Sequence, residues 1–333
     1  MALFRMKAAG AGALAVLIGA APALAEDRVS AVHAFPDFLV YTKTFLAIVD
    51  DINERGKGIV QIDVRGGPEA IGMFEQPGAV RDGVVDMFHG PGSFYGASVP
   101  EIDAMVAATV SPMEARENGG AKLMDEAHVK RFNSHHLGWV DGGIHFHIYM
   151  TEEPVFGEDG VLDLTGVALR DNPIYHAFFE ALNATTSSMP STEVYSALEK
   201  GVVDAAAWTS IGLMDLKWEK FVKYRVDPEF YNTDIGIIMN KDAWDALTQE
   251  SRDLIQQVIV EWEQKSYDAR QADKKADEAK LLEGGMAFVE MSEEGAQKFL
   301  SLADEAAWGR MKSRLEEMGD AGVYDQLRAT YHP

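Results

Sequence analysis

Between Thr248 and Gly284 the chain carries neither proline nor glycine, and the intervening residues are strong helix formers. At ~1.5 Å per residue an unbroken helix over this run is about 54 Å long, more than the width of one lobe. It therefore spans two lobes or kinks. Thr248 is the expected N-cap. The mixed charges Asp273, Lys274, Lys275, Asp277, Glu278 and Lys280 read as a solvated face.

The segments before it alternate between two periods. Arg28 to His33 reads as a strand, and Phe38, Thr42, Phe45, Leu46, Val49 and Ile52 follow helical spacing. A strand over 60–65, a short helix from Pro77 to Asp82 and a buried strand over 84–88 complete the start of a parallel α/β sheet. A helix is expected over 114–131, strands over 137–140 and 144–150, and a loop over 151–163. A second α/β unit follows, with strand 167–170, helices 174–182 and 192–200, and strand 202–206. Strand 235–239, helix 241–247, strand 286–291 and a helix over 293–318 finish the chain. These elements imply an α/β, two-lobed fold with a hinge, shared strands and a long helix across both lobes. Lobe 1 is read over 26–150 with return segments from the C-terminal part, lobe 2 over 151–240, and a helical region over 241–333.

Residues 1–25 combine Arg5 and Lys7, an apolar run from Ala8 to Leu24 and the A-x-A pattern Ala23-Leu24-Ala25. They read as an export signal cleaved after Ala25. The net charge of −23 becomes more negative once those two basic residues leave. Such a field opposes nucleic acid and anionic lipid surfaces. With no cysteine in the chain, disulfides, thiol catalysis and cysteine metal sites are excluded. An export signal without disulfides points to a bacterial periplasm.

The segment from Leu164 to Thr209 sets one arginine, Arg170, at the end of the apolar run Gly166-Val167-Ala168-Leu169. A guanidinium at a pocket mouth is a planar, permanently charged fork that matches a carboxylate with two parallel hydrogen bonds. The expected ligand is an organic acid.

LTGVALR, followed by STEVYSALEKGVVDAAAW, resembles the substrate-binding proteins of tripartite ATP-independent periplasmic (TRAP) transporters, C4-dicarboxylate-binding type. Gly78 to Met87, Pro91 to Tyr95 and Leu137 to Gly143 match further motifs of that family in order. The resemblance implies two α/β lobes that close on a carboxylate and deliver it to a TRAP membrane permease driven by an ion gradient. Arg170 occupies the family's carboxylate-clamp position. Where many members carry Glu before Asn or Trp, a residue some use to hold a metal ion, this chain has Ala207, which cannot coordinate one. Trp208 offers a large apolar face instead, favouring an aromatic or apolar-bodied acid, or else it packs the lobe interior. Some members carry a second anion-contacting arginine near His147. A histidine there donates to a hydroxyl or second carboxylate, or is a packed strand residue.

If the family topology holds, Phe35, Phe74, Phe94, Tyr95 and Tyr175 face the cleft or join the core. Glu69 and Asn172 are further pocket candidates at strand ends. His135, His136, His145 and His147 form a weak zinc pattern with no HExxH spacing. Neither a G-x-S-x-G elbow nor a phosphate loop is present. No catalytic residue, metal or cofactor is expected. The leading expectation is a periplasmic solute-binding protein without catalysis. An exported metal-dependent hydrolase and a receptor-coupled ligand sensor are the alternatives.

Overall fold

A computed structural model describes residues 26–333, so the leader read over 1–25 and its cleavage after Ala25 lie outside the described residues. The strands, in chain order, are β1 (Asp27–His33), β2 (Val60–Gly66), β3 (Met87–Pro91), β4 (Ser134–Trp139), β5 (His145–Met150), β6 (Val155–Phe156), β7 (Leu162–Asp163), β8 (Ala168–Asp171), β9 (Thr185–Ser188), β10 (Ala205–Thr209), β11 (Tyr224–Asn232), β12 (Ile235–Asn240) and β13 (Ala287–Glu290). One sheet has the order β2-β1-β3-β12-β4, the other β13-β11-β5-β10-β8-β9. In the first, β1 runs parallel to β2 and β3, while β12 is antiparallel to both its neighbours. In the second, β8, β9 and β10 are parallel and β5 opposes β10 and β11. The chain crosses between the sheets over 140–144 and returns over 233–234.

The same turn introduces a central strand in each sheet. Gly83 and Gly201 take positive φ of 73° and 64° after a helix, a conformation that costs glycine little. The valine that follows each is exposed, Val84 and Val202, and the next is buried, Val85 and Val203. An aspartate then ties down a neighbouring strand: Asp86 Oδ2 accepts the Ser30 N–H at 2.7 Å, and Asp204 Oδ2 accepts the Ala168 N–H at 3.1 Å. The strands expected from residues 84 and 202 consequently begin later, at Met87 and Ala205.

Helix Val40–Arg55 buries Phe45, Ile48, Val49 and Ile52 on one face, the period of its sequence pattern. The helix expected over 114–131 divides into Pro112–Glu117 and Gly120–Arg131, because Gly119 adopts φ 91° between them. Within the expected loop over 151–163, β6 and β7 pair. Two further strands, β9 and β11, have no counterpart in the sequence reading.

The long helix runs unbroken from Gln249 to Glu283, and Thr248 caps it by accepting the Ser251 N–H. Its N-terminal half is fixed to the first lobe. Asp27 accepts from Thr248 N at 2.9 Å and Ser251 Oγ at 2.6 Å, and buried Glu263 accepts the Trp139 N–H at 2.9 Å and pairs with Arg116 at 2.7 Å. Midway, Ser266 Oγ accepts from the Asp141 N–H and Arg270 pairs with Asp141 at 3.0 Å, at the crossing segment. The C-terminal half is bonded to the second lobe through Lys274 to Glu229, Asp277 to the Gly212 N–H and Glu278 to Arg225. The charge run is therefore not a uniformly solvated face, since three of its members hold the lobe beneath.

Candidate functional site

The ends of β1, β3, β8 and β10 meet the crossing 233–235 around a cavity with about 420 Å³ of atom-free space. The first lobe supplies Phe35, Tyr41, Ser93 and Phe94, the second Arg170, Asn172, Ser191, Trp208 and Thr209.

Arg170, on β8 opposite Ala206 of β10 and Ser187 of β9, is 1% exposed. Its Nε and Nη2 donate to the Met189 carbonyl at 3.0 and 2.7 Å, and Nη1 donates to the Tyr175 hydroxyl. Tyr175 in turn donates to Ala207 O at 3.0 Å. A guanidinium has five N–H groups, so two remain on the terminal nitrogens. Among the described residues Arg170 pairs with no carboxylate. The other buried or nearly buried guanidiniums all do: Arg225 with Asp227 and Glu278, Arg270 with Asp141, Arg310 with Asp103. An uncompensated buried cation is costly, and an anion entering beside it removes that cost.

Two hydroxyls at the same cavity, Ser93 Oγ and Ser191 Oγ, are buried without a hydrogen-bond partner. Ser191 opens the helix Ser191–Glu199, and the positive end of a helix also favours an anion. Asp234 accepts the Ser93 N–H at 2.5 Å, which fastens the 92–95 turn to the crossing. Burial pushes the Asp234 carboxyl up to about 6.

The lobes also touch each other across the cavity. Trp208 packs edge-on against Phe35 with centroids 6.0 Å apart, while its Nε1 donates to Ile211 O at 3.1 Å. Thr209 Oγ1 donates to Ile211 O at 2.8 Å, so its bond with the Tyr41 hydroxyl, at 2.7 Å, has Tyr41 as donor.

Of the residues singled out in the sequence, Arg170, Trp208, Phe35, Phe94 and Asn172 line this cavity, and five do not. His147 lines a different cavity, 2.8 Å from Asp227 and 3.6 Å from Glu229. Glu69 accepts the Gly67 N–H at 2.7 Å, a bond that holds its carboxyl below the usual range. Tyr95 is buried in the first lobe, its hydroxyl 3.0 Å from His128 Nε2 and its ring stacked on Phe132. Phe74 packs edge-on against Phe94 and Tyr175 serves Arg170 from behind. Among the described residues no three His, Asp or Glu side chains gather as metal ligands. Tyr41, Ser93, Ser191 and Asp234 were not anticipated. Ser93 sat in the matched Pro91–Tyr95 motif, and Ser191 after Pro190 at a helix start, which were the available signals.

The model of the family described as bacterial extracellular solute-binding protein, family 7 (DctP), matches residues 32–310. A solute-binding protein of Albidiferax ferrireducens is 24% identical over 269 residues, covering 78% of this chain and 77% of its own. Among solved structures, a TRAP transporter solute-binding protein from Bordetella bronchiseptica RB50, with copurified calcium and picolinate in its active site, superposes with a TM-score of 0.78 at 19% identity over 92% of each chain. An extracytoplasmic solute receptor of Bordetella pertussis binding pyroglutamic acid gives 0.76 at 19% identity, over 92% of this chain and 99% of that one. With most of its length matched by the family model, this chain belongs to the bacterial extracellular solute-binding proteins of family 7.

Proposed function

We propose that this protein captures an organic acid in the periplasm and hands it to a TRAP permease, without chemical conversion. The observation that carries the reading is Arg170, a buried guanidinium with two free N–H groups and no carboxylate partner among the described residues. In this reading Arg170 clamps the ligand carboxylate bidentately. Ser93 and Ser191 donate to its oxygens or to a neighbouring polar atom. Trp208, Phe35 and Phe94 enclose an apolar or aromatic body. Because contacts come from both lobes, the acid binds the closed form better than the open one and shifts the population towards closure. Picolinate and pyroglutamic acid, the ligands of the two similar structures, are both carboxylic acids. Ala207 leaves no carboxylate at the position where the resemblance implies a metal-holding Glu. Export by a leader over 1–25, cleaved after Ala25, completes the proposal.

A thermal-shift screen of monocarboxylates, aromatic acids, 2-oxo acids and dicarboxylates tests it, with each hit checked for turnover with and without chelator. An acid at a hundredfold over its dissociation constant stabilises by about 2.7 kcal/mol. Stabilisation by a neutral solute while no acid acts, or chelator-sensitive conversion of the acid, would overturn the reading.

A further inference from the structure

Outside the Arg170 cavity lies a second one, with about 840 Å³ of atom-free space. The two share Ser93, Phe94 and Asn172 as lining residues, so the second, here termed the vestibule, abuts the first. Beyond those walls it reaches the helix Glu293–Glu317, where Arg310 and Arg314 stand about one turn apart.

The charges of this vestibule pair off with one left over. Arg310 pairs with Asp103 at 2.6 Å and donates to the Pro173 and Ile174 carbonyls at 2.9 and 3.2 Å. Asp171 is bonded to His176. Arg314 has a single hydrogen bond, from Nη1 to the Gly96 carbonyl at 3.2 Å, and pairs with no carboxylate among the described residues. Burial, and then the neighbouring Arg310 guanidinium, disfavours its charged form, with Asp103 and Glu317 only partly offsetting them. An anion supplied from outside would favour it.

We infer that the vestibule is a second anion subsite: Arg314 receives the distal acidic group of an elongated dianionic solute whose first carboxylate lies on Arg170. The inference rests on the proposed role of Arg170. Phe94 and Asn172 line both cavities, so they are the side chains that a solute reaching from Arg170 to Arg314 would pass. Short diacids end before Arg314 and gain nothing from it. Longer ones place their second charge beside the unpaired guanidinium, where a charge-assisted bond strengthens binding by about tenfold.

Calorimetric titrations of wild type and Arg314→Gln with straight-chain diacids from succinate to suberate, each beside its half-amide, test this. In wild type one of the longer diacids is expected to bind about tenfold tighter than its half-amide. Arg314→Gln should remove that preference, leave half-amide affinity unchanged and leave succinate unaffected. Melting curves of both proteins check that the variant folds. Equal weakening of diacid and half-amide by the substitution, or a diacid preference that survives it, overturns the inference. Half-amides that bind while no diacid is preferred overturn the vestibule subsite alone. Failure of every diacid and half-amide to bind overturns the vestibule subsite, while the Arg170 reading falls only if the wider screen of acids also finds none that binds.

Discussion

Removing one oxygen from Tyr41 tests whether closure is coupled to binding. Tyr41 stands on helix Val40–Arg55 of the first lobe and donates to Thr209 Oγ1 of the second at 2.7 Å, while its ring packs against Phe35 with centroids 5.7 Å apart. Tyr41→Phe keeps that ring contact and deletes only the bond between lobes. A buried hydrogen bond contributes about 1 kcal/mol net, so the closed form loses about fivefold in population relative to the open one. Because apparent affinity scales with the fraction in the binding-competent form, the dissociation constant for a bound acid should rise by about fivefold. The change should appear in the off-rate, since encounter with the open cleft is unaffected. Calorimetry gives the affinity, stopped-flow the rates, and small-angle scattering the shift towards an open shape. An unchanged dissociation constant with a lowered melting temperature would refute the coupling and leave this bond a role in folding alone.

Two further outcomes concern stability. His89 is fully buried on β3, stacked on Phe45 at 4.8 Å with neither ring nitrogen bonded, and burial holds it down to about 3 from the usual 6.5. It stays neutral in the fold while the unfolded chain protonates, so its contribution is full above about 6.5 and is lost as pH falls towards about 3. His89→Leu should therefore stabilise by about 2 kcal/mol more near pH 5 than near pH 7.5; equal effects at the two pH values in urea titrations would contradict this. Arg270 donates to Thr44 at 2.7 Å and to buried Asp141 at 3.0 Å, and burial pushes the Asp141 carboxyl up to about 6 against the pull of Arg270. Arg270→Leu leaves that carboxylate unpaired and should cost about 3–5 kcal/mol near pH 8, and less near pH 5 where Asp141 is protonated. A pH-independent loss would exclude the unpaired charge as its cause.

The fold was most legible where a single period ran long. The helix from Gln249 to Glu283 follows from a run free of proline and glycine, and Thr248 caps it. Strand β11 was missed although Arg225, Asp227 and Glu229 alternate with Tyr224, Val226 and Phe230 at a strand's period, because Pro228 in its midst reads as a break. Strand β9 is the four polar residues Thr185–Ser188 at a sheet edge, where no core imposes alternation. In the two Gly-Val-Val-Asp turns the valines looked like strand, but positive-φ glycines place the first of each pair in solvent. At the site, Arg170, Asn172, Trp208, Phe35 and Phe94 could be singled out from local sequence. Asp234 could not, because its place depends on the crossing that returns β12 to the first sheet. Tyr41 could not either, because its partner Thr209 is 168 residues away.

The most direct measurement of the central claim compares Arg170→Lys with wild type, titrated with a screened acid and with its uncharged primary amide. An ammonium cannot reproduce the planar fork, and the amide brings no charge to it. The account predicts that the acid binds wild type, that the lysine variant binds it at least about tenfold more weakly, and that the amide binds neither protein measurably. Full affinity in the lysine variant, or an amide that binds wild type as tightly as the acid, would contradict it.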